Sequence, residues 1–144
     1  MLGYPHQYLA SATGGTEGSV VVSGEGLPPI DTQSPPQFGG PEGVWSPETM
    51  LSATVANCFI LTFRAIARAS KFDWTALDCN VEGVLDRPER TTLFTAFNVH
   101  AVLRVPSDEK LEMAQRLLEK AEQVCLITAS LKSEIILTTD IKVG

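Results

Sequence analysis

Histidine is nearly absent from this 144-residue chain: His6 and His100 are the only two, far apart and in no metal-ligand spacing. That argues against a His-rich zinc or iron site, and no metal is expected. Positive charge is also scarce, with 11 Lys+Arg against 17 Asp+Glu, a formal net charge of −6 and no cluster of cations. Phosphate-driven binding needs clustered Lys and Arg, so neither nucleic acid nor an anionic membrane surface is an expected partner. No apolar run reaches the ~20 residues of a bilayer span. The most apolar stretch, Thr49–Phe63, contains Ser52, Thr54, Asn57 and Thr62 and reads as a buried helix. Met1–Ala10 holds no basic residue and no apolar run of signal-peptide length, so a cytoplasmic location is expected. Cysteine is limited to Cys58, Cys79 and Cys125. In a reducing compartment such residues are either small buried hydrophobes or redox participants, rather than permanent staples.

What is present is apolar mass, 44% hydrophobic residues with 19% charged. A disordered tail does not have that balance, and the length suits a single domain over residues 1–144 that folds without disulfide or metal. Tyr8–Thr13 and Ser19–Ser23 are short β-prone runs around Gly14-Gly15-Thr16-Glu17-Gly18, which predicts an N-terminal hairpin within residues 1–23. The glycines lack the following helix and lysine of a phosphate-binding loop. Gly24–Pro47 holds six prolines and five glycines in 24 residues, so residues 24–46 read as a long ordered loop. Loops of this length are often binding loops, and Phe38 and Trp45 either wall a pocket or pin the loop to the core.

Ser46-Pro47-Glu48 is a helix start, with a cap, a proline at the first position and an acid in the first turn. The helix is predicted over 47–69, with apolar residues on nearly every side, as in the central helix of a domain or an assembly. Residues 74–144 carry the remaining strands and a helix. Leu77, Cys79, Val81 and Leu85 alternate along one strand, and Leu93, Phe97, Val99, Ala101, Leu103 and Val105 along the next, with His100 on the outer face. Pro106-Ser107-Asp108 opens an amphipathic helix, and a last strand runs Leu131–Ile141. This order predicts an α+β fold with a largely antiparallel sheet.

Ser46-Pro47-Glu48-Thr49-Met50-Leu51 leading to Ala56-Asn57-Cys58-Phe59, then Lys120-Ala121-Glu122-x-x-Cys125 and Ser130-Leu131-Lys132-Ser133-Glu134-Ile135, resembles the OsmC/Ohr family. These are the osmotically inducible and organic hydroperoxide resistance proteins, and the resemblance runs from Tyr8 to the last strand. It implies mostly antiparallel curved sheets around a long central helix in an intertwined homodimer. It also implies a thiol peroxidase: Cys58 attacks an organic hydroperoxide and becomes a sulfenic acid, Cys125 condenses with it to a disulfide, and an external dithiol, of lipoyl type in the best-known relatives, reopens the bond. No bound cofactor is implied. Glu48 matches the family glutamate that holds an arginine at the reactive thiol. Glu48 and Cys58 are ten residues apart on one helix, about 15 Å, so Glu48 can serve Cys58 only from a partner chain. Gln37, Phe38, Trp45 and Phe59 are the candidate substrate-pocket residues.

The chain departs from the family pattern at the arginine, whose two usual positions hold Thr16 and Gln37. The proline that usually follows the resolving cysteine is Leu126, a change that matters less on this reading. Cys79, alternating with Leu77 and Val81, reads as an inert core thiol. The missing arginine leaves an alternative function open: the same fold binding a small hydrophobic molecule with little peroxide turnover.

Overall fold

The computed structural model describes residues 3–144; Met1 and Leu2, the first residues of the segment read for a signal peptide, lie outside it. The chain divides into two compact units, residues 1–50 and 51–144.

In the first unit, β1 (Ser11–Thr13), β2 (Val20–Ser23) and β3 (Ile30–Thr32) form an antiparallel sheet in the order β1-β2-β3. The hairpin between β1 and β2 is the one predicted, and Gly18 carries the positive φ of its turn, 87°. β3 was not predicted: it lies inside the Pro/Gly-rich segment read as loop. The buried Thr32 fixes it, its hydroxyl donating to the Val20 carbonyl at 3.0 Å. Beyond β3 the chain makes a single 3₁₀ turn at Pro36–Phe38 and a bridge between Thr32 and Trp45.

Helix α1 spans Pro47–Ala69, as its cap signals predict. Ser46 is buried, and the cap is reciprocal: Thr49 N–H donates to Ser46 Oγ at 3.1 Å and Ser46 N–H to Thr49 Oγ1 at 3.0 Å. Such a cap satisfies backbone donors that the helix itself leaves without acceptors.

The second unit contains most of α1 and a three-stranded sheet of β4 (Ala76–Asp86), β5 (Leu93–Val105) and β6 (Glu134–Val143) in the order β4-β5-β6. β4 and β5 are antiparallel, whereas β5 and β6 are parallel, so the sheet is mixed. The parallel pair needs a crossover, which α2 (Leu111–Val124) and the one-turn α3 (Leu126–Ala129) provide. α2 starts at Leu111, later than the Pro106-Ser107-Asp108 signal suggests, and has no side-chain cap.

Val55, Phe59, Phe63 and Ala67 form an i, i+4 stripe on α1, and Ala114, Leu117, Leu118 and Ala121 form one on α2. Both stripes join Phe97, Val99, Ala101, Leu103 and Val105 of β5 in one core cluster. Only that stripe of α1 is buried, and Leu61 on another side is 50% exposed. Leu85 departs from the alternation: the β4–β5 register shifts between Val84 and Leu85, and Leu85 is turned to an exposed position. A bulge of this kind reverses the inside–outside pattern beyond it. His100 is exposed as expected, its Nδ1 hydrogen-bonded to Thr138 Oγ1 at 2.6 Å.

Candidate functional site

Cys58 projects from the middle of α1, partly buried, while Cys125 is 1% exposed at the joint between α2 and α3. The joint forms because Cys125 adopts extended backbone angles (φ −63°, ψ 114°), ending one helix and starting the next. Thr128 Oγ and Ala129 N–H both donate to the Cys125 carbonyl, at 3.2 and 3.0 Å, and hold the turn. Both thiols are free, and each acts on the other's ionisation.

Burial alone would push both thiols up. At Cys58 that effect is outweighed by donors aimed at the sulfur: the Cys125 thiol, the Ile127 backbone N–H, the Thr62 hydroxyl and the Leu126 backbone N–H hold it below the usual 9.0. Thr62 lies one turn along α1, with Oγ1 3.8 Å from Cys58 Sγ. No guanidinium or ammonium is among the groups acting on Cys58, so neutral donors alone favour its thiolate. Cys125 moves the other way, raised by burial and by its bond to Cys58 despite opposing donors at Thr128. The two thiols are therefore polarised, one toward the anion and the other toward the protonated donor. This arrangement suits a nucleophile with an adjacent resolving thiol, because the thiolate is the reactive form.

Cys79 is pushed up to about 11, by burial first and by the charge of Cys125 second. At neutral pH roughly one such thiol in 10⁴ is ionised, which agrees with an inert role.

The remaining candidates are placed as follows. Phe59 is 2% exposed and sits in the core cluster. Gln37 and Phe38 lie on the 3₁₀ turn, both exposed, and Trp45 is 51% exposed, its carbonyl accepting from Gln33 N–H at 2.9 Å. Phe38 lines a cavity of about 380 Å³ in the first unit, together with Thr16, Thr32, Gln33 and Glu48. Thr16 and Glu48 thus share one cavity wall. Among the described residues Glu48 Oε1 is buried with no hydrogen-bond partner. No group of three or more His, Cys, Asp or Glu able to hold a metal occurs among the described residues.

Sequence reasoning missed Thr62, Leu126 and Ile127. Thr62 was within reach, since residues four apart share a helix face. The other two act through backbone N–H groups, which no side-chain motif marks.

The family model for OsmC-like protein matches residues 40–140, spanning α1, all three cysteines and the second sheet except the end of β6. The chain belongs to the OsmC-like family. It is 33% identical over 135 residues to an organic hydroperoxide resistance protein of Xanthomonas axonopodis pv. citri (strain 306), covering 90% of this chain and 89% of that one. The fold matches an organic hydroperoxide resistance protein OsmC from Legionella pneumophila with a TM-score of 0.76 and 25% identity, over 98% of this chain and 100% of the other. An OsmC-like protein of unknown function from Vibrio cholerae superposes with a TM-score of 0.82 at 18% identity, over 94% and 99% of the two chains. Cys58 on α1 and Cys125 at the α2–α3 joint both fall within the matched residues.

Proposed function

We propose that the protein is a thiol-dependent peroxidase for organic hydroperoxides, acting in peroxide defence. The Cys58 thiolate attacks the distal peroxide oxygen; the O–O bond breaks, the sulfur is oxidised to a sulfenic acid, and the alkoxide takes a proton and leaves as the alcohol. The Cys125 thiol then attacks the sulfenic sulfur, forming the Cys58–Cys125 disulfide and releasing water. An external dithiol of lipoyl type restores both thiols by exchange and leaves as its own disulfide. The protein works as a homodimer in the cytoplasm, with Glu48 serving the partner's thiol.

The observation that carries this reading is the polarised thiol pair, with Cys58 held low and Cys125 held high, each acting on the other. The names of the Xanthomonas and Legionella relatives support the substrate class. A second reading, a small hydrophobic ligand-binding protein of the same fold, draws on the lack of any cation among the groups acting on Cys58.

Consumption of cumene hydroperoxide with dihydrolipoamide separates the two. The peroxidase reading expects turnover in the wild type, none in Cys58→Ser, and a single turnover at most in Cys125→Ser. Wild-type protein that consumes no hydroperoxide contradicts it and leaves the ligand-binding reading.

A further inference from the structure

Charge is divided unevenly along the chain. Every Lys and Arg falls at Arg64 or later, whereas residues 1–50 carry Glu17, Glu25, Asp31, Glu42 and Glu48 with no Lys or Arg. The first compact unit therefore has no basic side chain except the His6 imidazole to set against its own carboxylates. Glu17, Glu25, Asp31 and Glu42 are exposed and meet water. Glu48, in the first turn of α1, is half-buried, and its Oε1 is buried without a hydrogen-bond partner among the described residues. Backbone donors beside it are already committed: Pro47 has no N–H, and the N–H groups of Ser46 and Thr49 are taken up by the reciprocal cap. A buried carboxylate oxygen in this state is destabilising until a donor reaches it.

Glu48 lines the cavity of about 380 Å³ in the same unit, a volume within the range of about 300–1,000 Å³ common for ligand pockets. Glu17 adds a second carboxylate to the lining, and Val20, Pro35 and Phe38 add apolar surface. This donor set is too poor for a hard metal ion, which wants six or more oxygens. It suits an organic cation, whose N–H groups pair with a carboxylate while its carbon body covers the apolar wall. Phe38, 60% exposed, also offers an aromatic ring to the positive charge.

We propose that this cavity binds a small organic cation, an amidinium, guanidinium or ammonium on an apolar body, with Glu48 as its anchor. The ligand supplies the donor that Oε1 lacks and the positive charge that residues 1–50 do not provide. The site shares Glu48 with the peroxidase reading but needs neither thiol, so it goes beyond that reading.

Benzamidine and benzamide test it, because they share a ring and a shape and differ in charge. Each is titrated into the reduced full-length protein and followed by the backbone amide shifts of Thr16 and Gln33. A probe of this size is expected to bind with a Kd of about a millimolar, and benzamide about tenfold more weakly or worse. Glu48→Gln keeps the shape and removes the charge, and should weaken benzamidine by about tenfold, to the level of benzamide. Glu42→Gln removes the same charge outside the cavity and should change the affinity by less than about twofold, which separates a seated cation from general attraction to an acidic unit. If Glu48→Gln fails to fold, the ratio of the two probes on the wild type gives the answer. The proposal is overturned if benzamidine shows no saturable binding, if the wild type binds both probes equally, or if Glu42→Gln loses as much affinity as Glu48→Gln. Hydroperoxide turnover without cation binding would sink only this proposal, and cation binding in a protein that reduces no hydroperoxide would sink only the peroxidase reading.

Discussion

Thr62→Val removes one donor from the Cys58 thiolate and leaves nearly everything else unchanged. Threonine and valine have the same shape and are both β-branched, so the α1 backbone has no reason to move. The hydroxyl lies 3.8 Å from Cys58 Sγ, a long contact on a partly exposed thiol. A hydrogen bond to a charged group is worth about 1.5–3 kcal/mol in good geometry. Half of the lower figure, about 0.7 kcal/mol, is a fair discount for this distance and exposure, and it corresponds to about half a pH unit. Below its midpoint, Cys58 would then have about threefold less thiolate. The more basic thiolate is also a better nucleophile, by about 1.7-fold with a Brønsted slope of 0.4–0.5. The net expectation is a reaction with dithiodipyridine that is about twofold slower than wild type below the midpoint and about 1.7-fold faster above it, so that the two pH–rate curves cross. Local unfolding would not give crossing curves, because it would speed the reaction at every pH. Superimposable curves, or a midpoint moved downward, would refute the role given to Thr62.

Gly83→Ala tests the packing of the second turn of α1 against β4. A Cβ there would lie 2.6 Å from Ser52 Oγ and 3.0 Å from ring atoms of Phe94 and Phe97. Ser52 can rotate away, but the rings are stacked at 5.0 Å with Phe97 fully buried, so a loss of about 1–2 kcal/mol is expected, read as a drop in Tm of about 3–7 °C. An unchanged Tm would show that the rings yield freely. Cys79 contributes to alkaline stability: its folded-state pKa is raised from 9.0 to about 11, so the unfolded thiol ionises first. Stability is then fully present below about pH 9 and falls as pH rises toward 11; Cys79→Val should lose less than wild type between pH 8 and 10.5 in urea titrations, and an identical loss would contradict the assignment.

The legible parts of the fold are those with local signals. The bounds of α1 follow from Ser46-Pro47-Glu48, a cap that needs no tertiary context, and the β5 core face follows from its unbroken alternation over Phe97–Val105. The parts that sequence did not reveal are set at a distance. β3 has only Ile30, Asp31 and Thr32 and exists because β2 pairs with it. The parallel direction of β6 is imposed by the α2–α3 crossover, since alternation is the same for either direction. Leu85 reads as a core residue until the bulge at Val84/Leu85 is known. At the site, resemblance picked out Cys58 and Cys125, and in the structure each of the two thiols acts on the other's ionisation.

The most direct test of the account is intact and peptide mass spectrometry of the reduced protein after one equivalent of cumene hydroperoxide. The account expects a loss of two mass units per chain, localised to a Cys58–Cys125 disulfide, with Cys79 remaining a free thiol. A protein that stays fully reduced while the hydroperoxide persists, or one whose disulfide involves Cys79, would contradict it.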